Sequence, residues 1–136
     1  MTISAEKLIN MALQAREKAY VPYSKFKVGA ALLTREGQVF TGCNVENASY
    51  GLTCCAERTA IFKAVSEGYK DFDAIAIVAD VPGYCSPCGA CRQVLAEFGG
   101  QIKVHMGNLQ GNYRTTTVAE LLPGYFKGED MLESRG

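Results

Sequence analysis

Several things are scarce in this chain. It has one histidine, and its fourteen Lys and Arg are balanced by fourteen Asp and Glu, so the formal net charge is zero. No stretch holds more than two basic residues close together. A face able to neutralise a run of phosphates is therefore missing, which argues against a polynucleotide partner. No apolar run reaches the roughly eighteen residues that a membrane span requires. The start Met1-Thr2-Ile3-Ser4-Ala5-Glu6 also lacks the basic and then apolar character of an export signal. A cytoplasmic protein with no membrane contact is the expectation. With 136 residues there is room for one core, and not for a separate cofactor-binding half. We expect one domain over residues 1–126 and a loose tail over 127–136.

Cysteine, in contrast, is plentiful: six in a short chain. Six thiols could form a disulfide framework, but without export they stay reduced, and clustered thiols in the cytosol more often hold a metal or act in redox chemistry. A C-x-x-C redox motif would leave Cys55-Ala56-Glu57, far upstream, without a purpose. The order Cys55-Ala56-Glu57 and then Pro87-Cys88-Gly89-Ala90-Cys91 points instead to zinc held by the thiolates of Cys55, Cys88 and Cys91. Three protein ligands leave the fourth tetrahedral position open for water, the mark of a hydrolytic rather than a structural zinc. Glu57, two residues from a ligand, is suited to move the protons of that water. Cysteine-x-glutamate followed by P-C-x-x-C is the pattern of zinc deaminases that act on nucleosides and nucleobases.

The rest of the chain supplies a scaffold for these residues. Residues 4 to 19 read as an amphipathic helix capped by Ser4, with Leu8, Ile9, Ala12, Leu13 and Ala15 at helical spacing. Phe26 to Thr34 and Gln38 to Asn44 read as a hairpin around Arg35-Glu36-Gly37. A helix is expected over residues 55 to 67, a strand buried on both faces over Phe72 to Ala79, and a second helix over Cys88 to Phe98. Strands at Gln101 to Met106 and Tyr113 to Thr117 and a short helix at Val118 to Leu122 complete the order. A mixed sheet covered by helices is the natural packing, with a right-handed parallel crossover from Phe72 to Met106. Cys55 and Cys88 both fall at helix N-termini, where free backbone N–H groups and the helix dipole favour thiolates.

Three thiolates around one dication leave a negative centre that weakens the metal's pull on water. Arg58, next to Glu57, can donate hydrogen bonds to the sulfurs and withdraw some of that charge, although a solvated helix arginine is an equally good reading of its position. Cys54 and Cys85 keep a closed four-cysteine structural zinc open as an alternative, since Cys85-Ser86-Pro87-Cys88 is itself a C-x-x-C. Otherwise Cys43, Cys54 and Cys85 read as packed or free thiols, and His105 as a strand histidine with a local partner.

Four blocks carry a family resemblance: Tyr23-Ser24-Lys25-Phe26-Lys27-Val28-Gly29-Ala30-Ala31, Gly42-Cys43-Asn44-Val45-Glu46-Asn47-Ala48, Cys55-Ala56-Glu57-Arg58-Thr59-Ala60 and Ser86-Pro87-Cys88-Gly89-Ala90-Cys91-Arg92-Gln93. In this order they closely resemble cytidine deaminase of the short, tetrameric, three-cysteine type. The resemblance runs as far as Leu121-Leu122-Pro123-Gly124-Tyr125-Phe126. It implies a three-layer α/β fold with a mixed five-stranded sheet covered by helices, one zinc per subunit, and a homotetramer with shared active sites. It further implies that Cys55, Cys88 and Cys91 are zinc ligands and Glu57 is the proton shuttle. Asn44 and Glu46 match the pair that holds the ribose 3′-hydroxyl, and Phe26 the aromatic on the base. Ala56 matches a backbone contact to the pyrimidine edge, while Tyr50 and Phe126 match positions that reach a neighbouring subunit's site. The implied reaction is hydrolytic deamination of cytidine and 2′-deoxycytidine. Rival readings are blasticidin S deaminase, against which the Asn44-x-Glu46 pair speaks, and a non-catalytic zinc-stabilised module.

Overall fold

The computed structural model describes residues 3–128. Of the tail expected from Lys127 onward, only Lys127 and Gly128 fall among the described residues. In chain order the elements are α1 (Ala5–Arg16), β1 (Val28–Thr34), β2 (Val39–Cys43), a 3₁₀ turn (Tyr50–Leu52), α2 (Ala56–Ser66), β3 (Phe72–Ala79), α3 (Gly89–Phe98), β4 (Lys103–Gly107), β5 (Tyr113–Thr117) and α4 (Val118–Leu121). The five strands form one sheet in the order β2-β1-β3-β4-β5. Only β3 and β4 run parallel, joined through α3; the other pairs are antiparallel, so the sheet is mixed as expected.

Alternation along the strands sorts side chains into two cores. On one face Leu8, Ile9 and Ala12 of α1 pack on Ala31, Leu33, Ala74, Ala76 and Val78. On the other, α2 and α3 cover Ala30, Leu32, Ile75, Ile77 and Val104. Three layers result, with β3 buried on both faces from Ala74 to Ala79, as its unbroken apolar run requires.

Two glycines set how closely the layers approach. A Cβ on Gly29 would lie 2.0 Å from the Ala12 carbonyl oxygen and 2.6 Å from the Arg16 nitrogen, so α1 rests directly on the β1 backbone. Gly42 does the same for α2, where a Cβ would lie 2.5 Å from the Ala56 oxygen and 2.6 Å from the Ala60 nitrogen. The small stripe Ala56, Ala60 and Ala64, all fully buried, lets the helix come this near.

Helix α1 stops at Arg16, three residues before the expected end. The Tyr20 N–H donates to the Asn44 carbonyl at 3.0 Å and the Glu46 N–H to the Tyr20 carbonyl at 2.9 Å, so the chain there is held extended beside the segment after β2. Tertiary pairing overrides helix propensity. Likewise β1 begins at Val28, not Phe26, because Lys25 adopts a left-handed φ of 60° that breaks the strand. Strand β4 begins at Lys103, two residues after the expected Gln101.

His105 is buried on β4, with Nδ1 2.8 Å from the Thr115 hydroxyl of the paired strand and its ring edge-on to Tyr113. A local partner was expected for it, and β5 supplies one.

Gly29→Ala is expected to destabilise the protein by at least about 3 kcal/mol, because a backbone carbonyl cannot yield to the new methyl as a side chain would. Chemical denaturation measures this, and a loss under about 1 kcal/mol would show that α1 can lift from the sheet freely.

Candidate metal and active site

Strand register brings the site together. Val28 pairs with Ala79, and Gly29 with Cys43, so the start of β1 and the ends of β2 and β3 share one end of the sheet. Phe26 lies just before β1 and Asn44 just after β2. From the same end, one loop leads from β2 to Cys55 and another from β3 to Cys88. Both cysteines are the N-cap residues of their helices, α2 and α3, and neither side chain makes a capping hydrogen bond. Their sulfurs are thus free to face a common point.

Cys91 lies on the first turn of α3, where side chains lean back toward the helix start. Its sulfur joins those of Cys55 and Cys88 in a set whose members all lie within 4.8 Å of one another. The Cys55 and Cys88 sulfurs are 3.8 Å apart. A tetrahedral zinc with Zn–S of about 2.3 Å places its sulfurs about 3.8 Å from each other, so the spacing fits that ion. Cys85, the fourth thiol of the alternative structural site, falls outside this set among the described residues. It is buried in the core around α3, and burial pushes its thiol up to about 12.

The charges around the sulfurs are unequal. The Cys55 thiol is drawn down to about 5, first by a hydrogen bond from Cys91 and further by Arg58 and Cys88 against the opposing effect of burial. Cys91 moves the opposite way, its proton held by the bond to Cys55 and by burial. The opposite shifts of Cys55 and Cys91 belong to one coupled pair that shares a proton. Arg58 donates from Nη2 to the Cys55 sulfur at 3.2 Å, and its own pKa is raised chiefly by that bond. Among the described residues its Nε is buried with no hydrogen-bond partner.

Glu57 sits on the first turn of α2, only 4 % exposed. Burial lifts its carboxyl to about 7, with the Cys55 thiolate adding to the rise while its hydrogen bonds and Arg58 oppose it. A carboxyl that titrates near neutrality can both take and give a proton there.

Above the sulfurs opens a cleft of about 730 Å³, within the usual range for a small-molecule site. Phe26, Asn44, Glu46, Tyr50, Cys55, Arg58 and Cys88 all line it. Ala56 is fully buried at the base of α2, and Tyr50 is 91 % exposed at the rim. Phe126 does not line the cleft; it is exposed, with its carbonyl accepting from Gln93 Nε2 at 3.0 Å.

Asn44 and Glu46 are already engaged. Asn44 Oδ1 accepts from the Val28 N–H at 2.9 Å, and Nδ2 donates to the Phe26 carbonyl at 2.8 Å. Glu46 Oε1 accepts the Tyr23 and Ser24 N–H groups, each at 3.1 Å, and Oε2 accepts a short bond from the Ser24 hydroxyl. These bonds, that of the Ser24 hydroxyl first, hold the Glu46 carboxyl below the usual carboxylate range. Sequence reasoning did not single out Ser24 or Tyr23 as site residues, although both stand in the first of the four matched blocks. A loop serine has no periodic signal to mark it.

Comparison with known proteins agrees with this geometry. Residues 2–107 match the family described as cytidine and deoxycytidylate deaminase zinc-binding region. A cytidine deaminase of Halalkalibacterium halodurans is 63 % identical over 125 residues, covering 91 % of this chain and 95 % of its own. One from Sporosarcina psychrophila is 58 % identical over 130 residues, covering 95 % of this chain and 96 % of its own. Among solved structures, the cytidine deaminase of Burkholderia pseudomallei superposes with a TM-score of 0.89 at 55 % identity, covering 91 % of this chain and all of that one.

Cys88→Ala is expected to abolish tight zinc binding, whereas Cys85→Ala keeps full zinc occupancy. Elemental analysis of the two purified variants decides it, and zinc retained in the first but lost from the second would move the metal to the other thiol.

Proposed function

Because this chain belongs to the cytidine and deoxycytidylate deaminase zinc-binding family, we propose that it hydrolyses cytidine and 2′-deoxycytidine to the corresponding uridines and ammonia. The observation that carries the reading is the set of three sulfurs within 4.8 Å of one another, beside a carboxyl that burial lifts to about 7. Cys55, Cys88 and Cys91 would hold the zinc, which when bound would supply a Lewis acid able to bring the ionisation of water toward neutral pH. Glu57 takes the proton of the attacking water and passes it to ring N3 as the oxygen adds at C4. It then takes the remaining hydrogen of the C4 hydroxyl and delivers it to the departing amine as the C4 carbonyl forms, so one buried carboxyl serves as base and acid in turn. Arg58 keeps electron density on the Cys55 sulfur from building up.

The sugar contacts follow from the donors and acceptors left over. A carboxylate has about four lone-pair sites, and three of those on Glu46 are taken, two on Oε1 and one on Oε2, which leaves one free on Oε2. Asn44 Nδ2 has one N–H still to give. A ribose 3′-hydroxyl completes both: it accepts from Asn44 and donates to Glu46. The lasting negative charge of Glu46 at the sugar end, with zero net charge on the chain, favours a free nucleoside over a nucleotide or a strand. Phe26 packs against the base, and the buried start of α2 at Ala56 faces its pyrimidine edge. The chain acts as one zinc domain over residues 1–126, in the cytoplasm, where its six free cysteines stay reduced. Among the described residues no helix is long and apolar enough to cross a membrane.

Incubating the zinc-loaded protein with cytidine and following the loss of cytosine absorbance tests the reaction. Glu57→Gln is expected to keep zinc yet lose turnover by about 10²–10⁴ or more, since a general acid–base contributes that much to a single step. Near-normal turnover in that variant would sink the mechanism.

We also propose that the exposed Phe126, and Tyr50 from its place at the rim of its own cleft, reach a neighbouring subunit's site within a homotetramer that closes each cleft against water. Phe126→Ala is then expected to raise KM without releasing zinc. Mixed under reassembly with Glu57→Gln subunits, it regains some sites that pair an intact Glu57 with a donated Phe126. A fully active monomer in sedimentation at assay concentration would refute the shared site.

A further inference from the structure

Cys88 has an unusual duty for an N-cap. Its side chain faces the other sulfurs and makes no capping hydrogen bond, so its orientation has to be fixed by something else. Arg92, one turn further along α3, meets this need from both sides. Its backbone N–H donates to the Cys88 carbonyl at 3.0 Å, and its side-chain Nε donates to the Pro87 carbonyl, just ahead of Cys88, at 2.9 Å. The rest of the fork is spread the same way. Nη2 donates to the Ser86 hydroxyl at 2.8 Å, and Nη1 to the Leu121 carbonyl at the end of α4, also at 2.8 Å.

Every partner is a neutral oxygen, and among the described residues Arg92 makes no ion pair. Arg92 is half-buried, and its guanidinium is held by protein oxygens on three sides. Three bonds in three directions from one rigid plane are a bracing geometry that lysine, with a single head on a flexible stem, cannot copy. The brace joins the loop carrying Cys88 to α4. The neighbouring Gln93 ties the chain beyond α4 to the same helix through the Phe126 carbonyl.

We propose that Arg92 is a positioning residue for Cys88, locking the Ser86-Pro87-Cys88 turn against α4 so that the Cys88 sulfur is held at the distance zinc requires. The proposal rests on the zinc reading of Cys55, Cys88 and Cys91. A fixed turn keeps the coordination geometry from relaxing, and partners of this kind, one step removed from the metal, are typically worth 10–100-fold in metal affinity or activity.

The test uses Arg92→Gln and Arg92→Lys in the full chain, with cobalt replacing zinc for spectroscopy and zinc for release kinetics. In both variants we expect displaced and weakened cobalt d–d bands. Zinc transfer to an excess of chelator, measured well below the unfolding temperature, is expected to be about tenfold faster than in the parent protein. Arg92→Lys, which keeps the charge and the stem, is the variant read if Arg92→Gln does not fold. Parental cobalt bands in a folded variant, whatever its melting temperature, would overturn the proposal and leave Arg92 a plain helix-packing residue. Neither readout requires turnover. A parent protein inert toward cytidine whose cobalt bands still depend on Arg92 would sink the deaminase reading and leave this one standing.

Discussion

Three sulfurs crowded within 4.8 Å of each other are the constraint on which the rest of this structure depends. Thiols packed so closely cannot all ionise alone. Cys55 gives up its proton easily and Cys91 keeps its own, because each stabilises the other's present state. Only a cation at the centre lets all three be thiolates together, which is why metal binding and proton release are coupled at such sites. Arg58 lends positive charge from one side, but a single guanidinium, 3.2 Å from the Cys55 sulfur, cannot substitute for a dication.

The fold supplies this crowding by aligning strand ends. With β1 antiparallel to both β2 and β3, the loops after β2 and β3 leave the sheet at the same end. Each loop opens a helix on the same face, and each helix begins with a cysteine. The close seat of α2 on Gly42 then matters for chemistry as well as packing. It fixes the first turn that holds Cys55 and Glu57, so a displaced helix would move a thiolate and the proton carrier together.

Much of this was legible in the sequence, and what was not has a physical reason. Strands β3 and β5 fall where apolar run and β-propensity place them, at Phe72–Ala79 and Tyr113–Thr117. Spacing and residue type suggested grouping Cys55 with Cys88 and Cys91, and the nearby Glu57 favoured this set over a closed four-cysteine site. The end of α1 was misplaced because the pairing of Tyr20 with the segment around Val45 is a contact between distant parts of the chain. For the same reason the bonds by which Asn44 and Glu46 hold the loop from Tyr23 to Val28 in shape were not legible, although the two residues were matched to a sugar-binding pair. Ser24 and Arg92 left no trace in any periodicity, since both act through hydrogen bonds that exist only after folding.

The two N-caps show how far the site is allowed to work against the local stability of its own helices. Serine, threonine, asparagine or aspartate at such a position contributes about 1 kcal/mol by bonding a free N–H of the first turn, and cysteine in both places forgoes it. Neighbours recover part of the order. The Thr59 hydroxyl and N–H both donate to the Cys55 carbonyl, at 3.2 and 3.0 Å, and Arg92 grips the peptide groups on either side of Cys88. These bonds hold the backbone of each cap while its sulfur stays turned from the helix N–H groups toward the other thiols. The missing stabilisation lies at the atoms that would meet a metal, so binding there returns to the fold what the helix ends give up. Local rules of helix design fail at these two positions because the side chains that would obey them cannot become thiolates.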